Sequence, residues 1–433
     1  MASTGLTRTP SSTGNRKTWT LSVWLKRSNI GSRQYILRQI SGGDYLDFQF
    51  QSNDTIQIFS YSGSTLLHLD TNRVFRDINA WYHFLIECDT TQATASNRCK
   101  FYINGVQETS FSTETYPSQN TDLPFNNTNP IYIGTATSSL YFDGIMSHFH
   151  FTDGTAYDAS AFGSTDSTTN EWKINTSPSV TYGTNGFFIL KDGNSVTDQS
   201  DNSNNFTVAA GTLTKTEDCP SNVFATWNAL DNYYASATLT NGNTKVATNN
   251  SAYSATLTSL GVSSGKYYAE FKLIDKGSGY CQIGIKGKQP TASSDGVGAG
   301  SDGLAYQRNG NKLLNGSSSS YGTSYDNNDI IGIAMDLDNN RLFFSKNGTF
   351  QNSGDPTSST GAITIPTSSS GFYFMGISDE HNAGSNTWEA NFGNGYFGTT
   401  AVSSAGTNAS GIGIFEYDVP TGYTALSTKG LNE

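Results

Sequence analysis

The stretch Asp329–Gly348, DIIGIAMDLDNNRLFFSKNG, constrains the fold more than any other part of the chain. Ile331, Ile333, Met335 and Leu337 alternate with Gly332, Ala334 and Asp336, the period of two expected where one face of a strand is buried and the other is solvated. In the run that follows, Leu342 and Phe344 share a face opposite Arg341, Phe343 and Ser345. A two-residue turn at Asn339-Asn340, where Asn tolerates positive φ, pairs Asp338 with Arg341, Leu337 with Leu342 and Met335 with Phe344. The apolar positions then fall on one face, so the stretch reads as a hairpin of an antiparallel sandwich with Asp336 turned outward.

Trp81–Gly105 repeats the device with a longer loop. Tyr82, Phe84, Ile86 and Cys88 share one face, as do Cys99, Phe101 and Ile103, and both stretches end in Asn-Gly, at Asn104-Gly105 and Asn347-Gly348. Further strands are expected from Trp19 to Leu25, Tyr35 to Ile40, Tyr45 to Gln51 and Thr55 to Tyr61, separated by turn residues. A chain of 433 residues has room for two or three cores. With 35% hydrophobic residues, 14% charged residues and 44 glycines, it has the composition of short strands joined by many turns. No long stretch shows helical apolar periodicity. The fold class is therefore all-β, with two antiparallel sandwiches of related construction.

A net charge of -11 with scattered basic residues argues against nucleic acid as a partner, because phosphate binding needs clustered Lys and Arg. The N-terminal residues lack an apolar signal core and no run approaches membrane-spanning length. The expectation is a soluble protein without a cleaved leader and without membrane insertion.

The residues also carry resemblances. TWTLSVWLKR, WYHFLIECD, CKFYINGVQ and IYIGTATSSLYFDGIMSHFHF, in that order, resemble the laminin-G-like, concanavalin A-type jelly roll over residues 1–165. GKYYAEFKL, CQIGIKG, YQRNGNK, the opening hairpin and WEANFGNGYF are similar to a SPRY domain, another concanavalin A-like sandwich, over residues 235–398. RTPSSTGNRKTW, the stretches Phe142–Gly163, Thr181–Asp192 and Asp201–Leu230, and the tail FEYDVPTGYTALSTKGLNE resemble segments of marine tailed-bacteriophage virion proteins. These resemblances imply a non-enzymatic structural or host-contact component of a virion, assembled in the host bacterial cytoplasm. Residues 166–234 are then a linker ordered against the sandwiches by Phe206, Val208, Phe224 and Trp227. Residues 399–433 form a tail that docks on its own chain or on a neighbouring subunit.

Candidate chemistry is sparse. Glu87 and Asp89 share a strand face, as the paired carboxylates of a retaining glucanase would, but Gln92 stands where that pattern needs its third acid, and a solvated strand end is the plainer reading. Asp44, Asp47 and Asp143 could offer calcium oxygens, yet no loop has calcium-ligand spacing, so turn aspartates are expected. His148 and His150 point to one side of a strand, without further ligands spaced to complete a metal site, and read as surface or interface histidines. The register that pairs Ile86 with Phe101 sets Cys88 opposite Cys99, making a cross-strand disulfide conceivable, while a reducing cytoplasm favours free thiols. No cofactor fingerprint is present.

What remains is binding. Tyr321 and Tyr325, in and beside the loop NGSSSSYGTS, and Tyr233 and Tyr234 look like exposed rings of sandwich-end recognition loops. Three functions follow: a multi-copy virion structural protein of an appendage, tail or capsid decoration; a receptor-binding protein contacting host glycan or protein through these loops; and a polysaccharide depolymerase. The first is favoured. Its partners are other virion proteins, further copies of itself and a host surface.

Overall fold

The computed structural model describes residues 3–78, 80–191, 195–230, 237–249, 254–277, 280–292, 295–379 and 385–432. The chain is nearly all β and divides into two compact units, Met1–Lys215 and Thr216–Glu433.

Among the described residues, the first unit is a sandwich of an eight-stranded and a six-stranded antiparallel sheet. The larger sheet runs Phe111–Thr115, Ser64–Thr71, Ile56–Ser62, Asp44–Phe50, Gln34–Ser41, Ile131–Ile133, Gly5–Arg8, Thr207–Ala210. The smaller runs Phe187–Ile189, Gly144–Asp153, Thr18–Arg27, Trp81–Asp89, Cys99–Ile103, Val106–Glu108. Their inner faces supply the core: Leu21, Val23, Phe48, Phe50, Ile58, Phe84, Phe101 and Phe151 are all buried. Each such side chain stabilises the unit by roughly 1.5–3 kcal/mol relative to exposure.

The second unit has the same two-layer plan. One sheet runs Thr238–Thr240, Lys245–Ala247, Thr387–Asn391, Lys266–Asp275, Ile330–Asp336, Arg341–Lys346, Thr349–Phe350; the other runs Ala255–Leu257, Phe374–Asp379, Cys281–Lys286, Gly303–Gln307, Asn311–Leu314, Ser317–Ser320.

The expected linker is divided between the units. Phe206 packs in the first core, 4.7 Å from Phe187, and Thr207–Ala210 pairs with Gly5–Arg8. Phe224 and Trp227 lie in the second core, Trp227 5.6 Å from both Phe271 and Phe392. The tail docks on its own chain. Thr424–Ala425 pairs in parallel with Tyr267 and Tyr268, at the end of the strand Lys266–Asp275 that the strand Thr387–Asn391 leaves unpaired.

Docking of the tail alters the opening hairpin. Ala334 and Asp336, expected on a solvated face, are 0% and 1% exposed, because Phe415, Val419 and Tyr423 add an outer layer to that sheet. Asp336 consequently pairs with Lys266 at 3.2 Å instead of meeting water. The expected register is also corrected, by two residues: Asp336 pairs with Arg341, Met335 with Leu342 and Ile333 with Phe344. A two-residue type I′ turn needs positive φ at both positions, and of the two asparagines only Asn340 adopts it (φ 55°). Leu337 and Asp338 instead leave the ladder for Gly265. Leu337 N–H donates to the Gly265 carbonyl at 2.9 Å, and Gly265 N–H donates to Asp338 Oδ1 at 2.7 Å. A shift of two preserves the inward face, so the apolar pattern survives the error.

The two Asn-Gly turns match closely. Asn104-Gly105 and Asn347-Gly348 have φ of 47° and 79°, and 48° and 79°. Each Asn side chain accepts from the backbone of the strand opposite, from His83 N–H at 2.7 Å and from Ile330 N–H at 2.8 Å.

Candidate functional site

In the first unit, period-two alternation sends Leu46, Phe48, Ile56, Ile58, Leu67 and Leu69 inward and turns Tyr45, Asp47, Gln57, Phe59, Tyr61, His68 and Asp70 outward. Strand register places the outward residues beside one another. One row runs Tyr132, Arg38, Asp47, Phe59, His68 across five neighbouring strands, a span of about 19 Å at the usual strand spacing. Tyr45 lies opposite Tyr61 in the next row.

The face is a mosaic of half-buried rings and planar polar groups. Tyr45 stacks on Tyr61 at 5.8 Å and Phe59 meets His68 edge-on at 4.9 Å. The Arg38 guanidinium lies 5.3 Å from the ring centres of both Tyr35 and Tyr45, and its Nε is 3.2 Å from Asp47 Oδ1. Burial pushes the Asp47 carboxyl up to about 6, against the opposing pull of Arg38 and the Tyr35 hydroxyl. His68 Nε2 is 3.1 Å from Asp70 Oδ2. On the same strands, the buried Gln49 Oε1 and Asp70 Oδ1 have no hydrogen-bond partner among the described residues. Half-buried rings beside planar donors and acceptors suit a ligand with apolar C–H faces and peripheral hydroxyls.

The residues singled out from the sequence fare differently. Tyr321 and Tyr325 are not exposed recognition rings; they are 7% and 1% exposed. The segment after Ser317–Ser320 turns back on the preceding hairpin, with Gly322 N–H on Gly310 O and Tyr325 N–H on Arg308 O. This carries both rings into the second core, where Tyr325 donates to the carbonyls of Cys281 and Tyr306 and Phe344 N–H donates to Tyr321 Oη. Tyr233 and Tyr234 lie outside the described residues.

Glu87 accepts from Lys100 Nζ and Tyr102 Oη, both at 2.9 Å, and Asp89 accepts from Thr91 and from Gln92 Nε2. Both carboxylates thus have hydrogen-bond donors close to them in the chain or on the paired strand. His148 and His150 share one side, as expected, but are buried and not at the surface. A bulge after Ser147 sets His148 at φ 48°, and His150 stacks on Phe188 at 3.9 Å and bonds Tyr182 Oη at 2.9 Å. Asp47 is engaged by Arg38, whereas Asp44 is exposed at a strand start. The described His, Cys, Asp and Glu residues form no group of three able to hold a metal ion, and no described helix is long and apolar enough to cross a membrane.

The outer face was missed because its signal is distributed. Tyr45, Asp47 and Gln49 alternate with Leu46, Phe48 and Phe50, so aromatic residues stand on both faces. Only the cross-strand register gathers the outward ones.

Two family models match parts of the chain. Residues 2–160 match the concanavalin A-like lectin/glucanases superfamily and residues 266–361 match the SPRY domain. Among solved structures, the SPRY domain of human HERC1 is 17% identical, covering 38% of this chain and 96% of its own at a TM-score of 0.29. A heptameric SAP-like pentraxin from Limulus polyphemus is 13% identical, covering 36% of this chain and 72% of its own at a TM-score of 0.27. The chain combines a laminin-G-like, concanavalin A-type domain with a SPRY domain, both folds often used to bind carbohydrate or protein.

Proposed function

We propose that this chain is a non-enzymatic virion component, present in multiple copies, that contacts a host-surface saccharide through the outer face of its N-terminal eight-stranded sheet. The observation that carries the recognition role is the row Tyr132, Arg38, Asp47, Phe59, His68 flanked by the Tyr45–Tyr61 stack. Such rings supply rigid contact area at low entropic cost, and the planar polar groups between them supply orientation. The acidic balance and scattered basic residues favour a neutral ligand over a polyanion. The virion assignment rests on the sequence resemblance of the linking segments and the tail. Engagement of Glu87 and Asp89 by their neighbours supports a role without catalysis.

The test is adsorption of purified protein to host cells and to a glycan array. Wild type should bind, and Tyr45→Ala or Phe59→Ala should weaken binding at least tenfold while leaving the melting temperature within a few degrees. Binding that survives both substitutions would sink the assignment of this face. Release of reducing ends from host polysaccharide that disappears in Glu87→Gln would overturn the non-enzymatic reading.

A further inference from the structure

Cys88 and Cys99 stand directly opposite one another in the antiparallel pair Trp81–Asp89 and Cys99–Ile103. The flanking backbone bonds are Asp89 N–H to Arg98 O and Asn104 N–H to His83 O, both 2.9 Å. Hydrogen-bonded pairs therefore fall at the odd-numbered residues of the first strand, and Cys88–Cys99 is a non-hydrogen-bonded pair. Cα atoms in such a pair lie about 4.5 Å apart, inside the roughly 4.4–6.8 Å that a disulfide spans. Both side chains point into the core, 0% and 1% exposed, and Cys88 Sγ also reaches the Lys17 carbonyl at 3.7 Å. The other cysteines face different partners, Cys219 the Ser221 hydroxyl and Cys281 the Lys276 carbonyl. All four are free thiols.

We infer that Cys88 and Cys99 form a redox pair that is open under reducing conditions and closes to a cross-strand disulfide by exchange with a small-molecule disulfide such as oxidised glutathione. The thiolate of one cysteine attacks a sulfur of that disulfide, forming a mixed disulfide and releasing one small thiol. The second cysteine's thiolate then displaces the other small thiol. Two protein S–H bonds and the small disulfide's S–S bond are lost; one protein S–S bond and two small-molecule S–H bonds form, so two electrons pass from protein to oxidant. Access runs through the hairpin end, where the exposed turn Ala95–Asn97 adjoins Cys99. Because burial holds the Cys88 thiol well above its usual range, exchange proceeds at the rate at which that end opens.

The test uses the full-length protein, purified with reductant and then held in oxidised glutathione with enough urea to open the loop without unfolding the sandwich. Thiols are counted by maleimide labelling after denaturation. The count should fall from four to two, the intact mass should drop by about 2 Da, and one peptide should join Cys88 to Cys99. Oxidised protein should also melt several degrees higher. Cys99→Ala should lose the mass drop and retain at most a glutathione adduct. The wild-type count stands by itself if that variant fails to fold. Four labelled thiols after prolonged oxidation, or a bridge between other cysteines, would overturn the inference.

Discussion

Replacing Glu270 should unfasten the C-terminal tail from the second sandwich. Glu270 is 0% exposed, yet its carboxylate accepts from Glu416 N–H and Tyr417 N–H, each at 2.8 Å, from Tyr268 Oη at 3.1 Å and from Asn391 Nδ2 at 3.3 Å. Glu270→Ala strands both backbone donors in a site shielded from water. At about 1–3 kcal/mol for each buried unsatisfied group, the expected loss is about 2–6 kcal/mol, read as a lowered denaturation midpoint of the second unit. Glu270→Gln keeps one acceptor but turns an amide donor toward one of the two N–H groups, so about 1–3 kcal/mol should be lost.

The pH dependence separates the two states of this carboxyl. Burial is the largest influence and pushes it up to about 7, against the four donors that hold it down. Between the unfolded value near 4.5 and the folded value near 7, the folded protein holds a proton that the unfolded chain has released. The stabilisation is therefore complete below about 4.5 and is lost as pH rises through 7, by up to about 3 kcal/mol. Urea titrations at pH 5, 6, 7 and 8 should show wild type losing stability relative to Glu270→Gln over that window. Parallel curves for the two proteins, or a loss below about 1 kcal/mol in Glu270→Ala, would refute the clasp.

His83 should give the first unit the opposite slope. Fully buried between Trp24 and Trp172, its imidazole is pushed down to about 3 by desolvation, so stability is lost as pH falls below about 6.5 and the unfolded chain alone takes up the proton. Thermal melts from pH 7 to 4 should show that fall, and His83→Gln should reduce it, the buried His150 imidazole, pushed down in the same direction by desolvation, supplying part of what remains; an unchanged slope would count against a neutral buried imidazole at His83. Gly105→Ala should cost about 2–4 kcal/mol, because a Cβ there would overlap the Trp172 ring and φ is 79°. Gly42→Ala, at φ 59° with open space around it, should cost only about 1–2 kcal/mol, and equal losses in the two variants would remove the Trp172 contact as the cause.

Local patterns read true where one residue's chemistry settles the geometry. Asn104-Gly105 and Asn347-Gly348 became type I′ turns because Gly adopts positive φ without a Cβ clash and Asn tolerates it. Asn339-Asn340 has no glycine, and the hairpin took a longer turn tied to Gly265. Opposition of Cys88 and Cys99 was legible because strand alternation and the Ile86–Phe101 pair leave one register. Burial was less legible. Tyr321 and Tyr325 stand in a Ser- and Gly-rich stretch that reads as a surface loop, but their hydroxyls find buried partners through chain reversal, which no local spacing encodes.

Alternation and backbone sterics, which act between near neighbours, set the all-β class, two sandwiches, the inward face of each hairpin and the Asn-Gly turns. Tertiary structure decided the rest. It placed Trp227 and Leu426 in one core, covered the outer side of Ile330–Asp336 with the tail, buried Glu270 and Asp336, and gathered Tyr45, Arg38, Phe59 and His68 on one face. Those outcomes depend on which distant strands pair and what shields them from water, and desolvation, which sets both carboxyl chemistry and ring exposure, is a property of the packed assembly of strands.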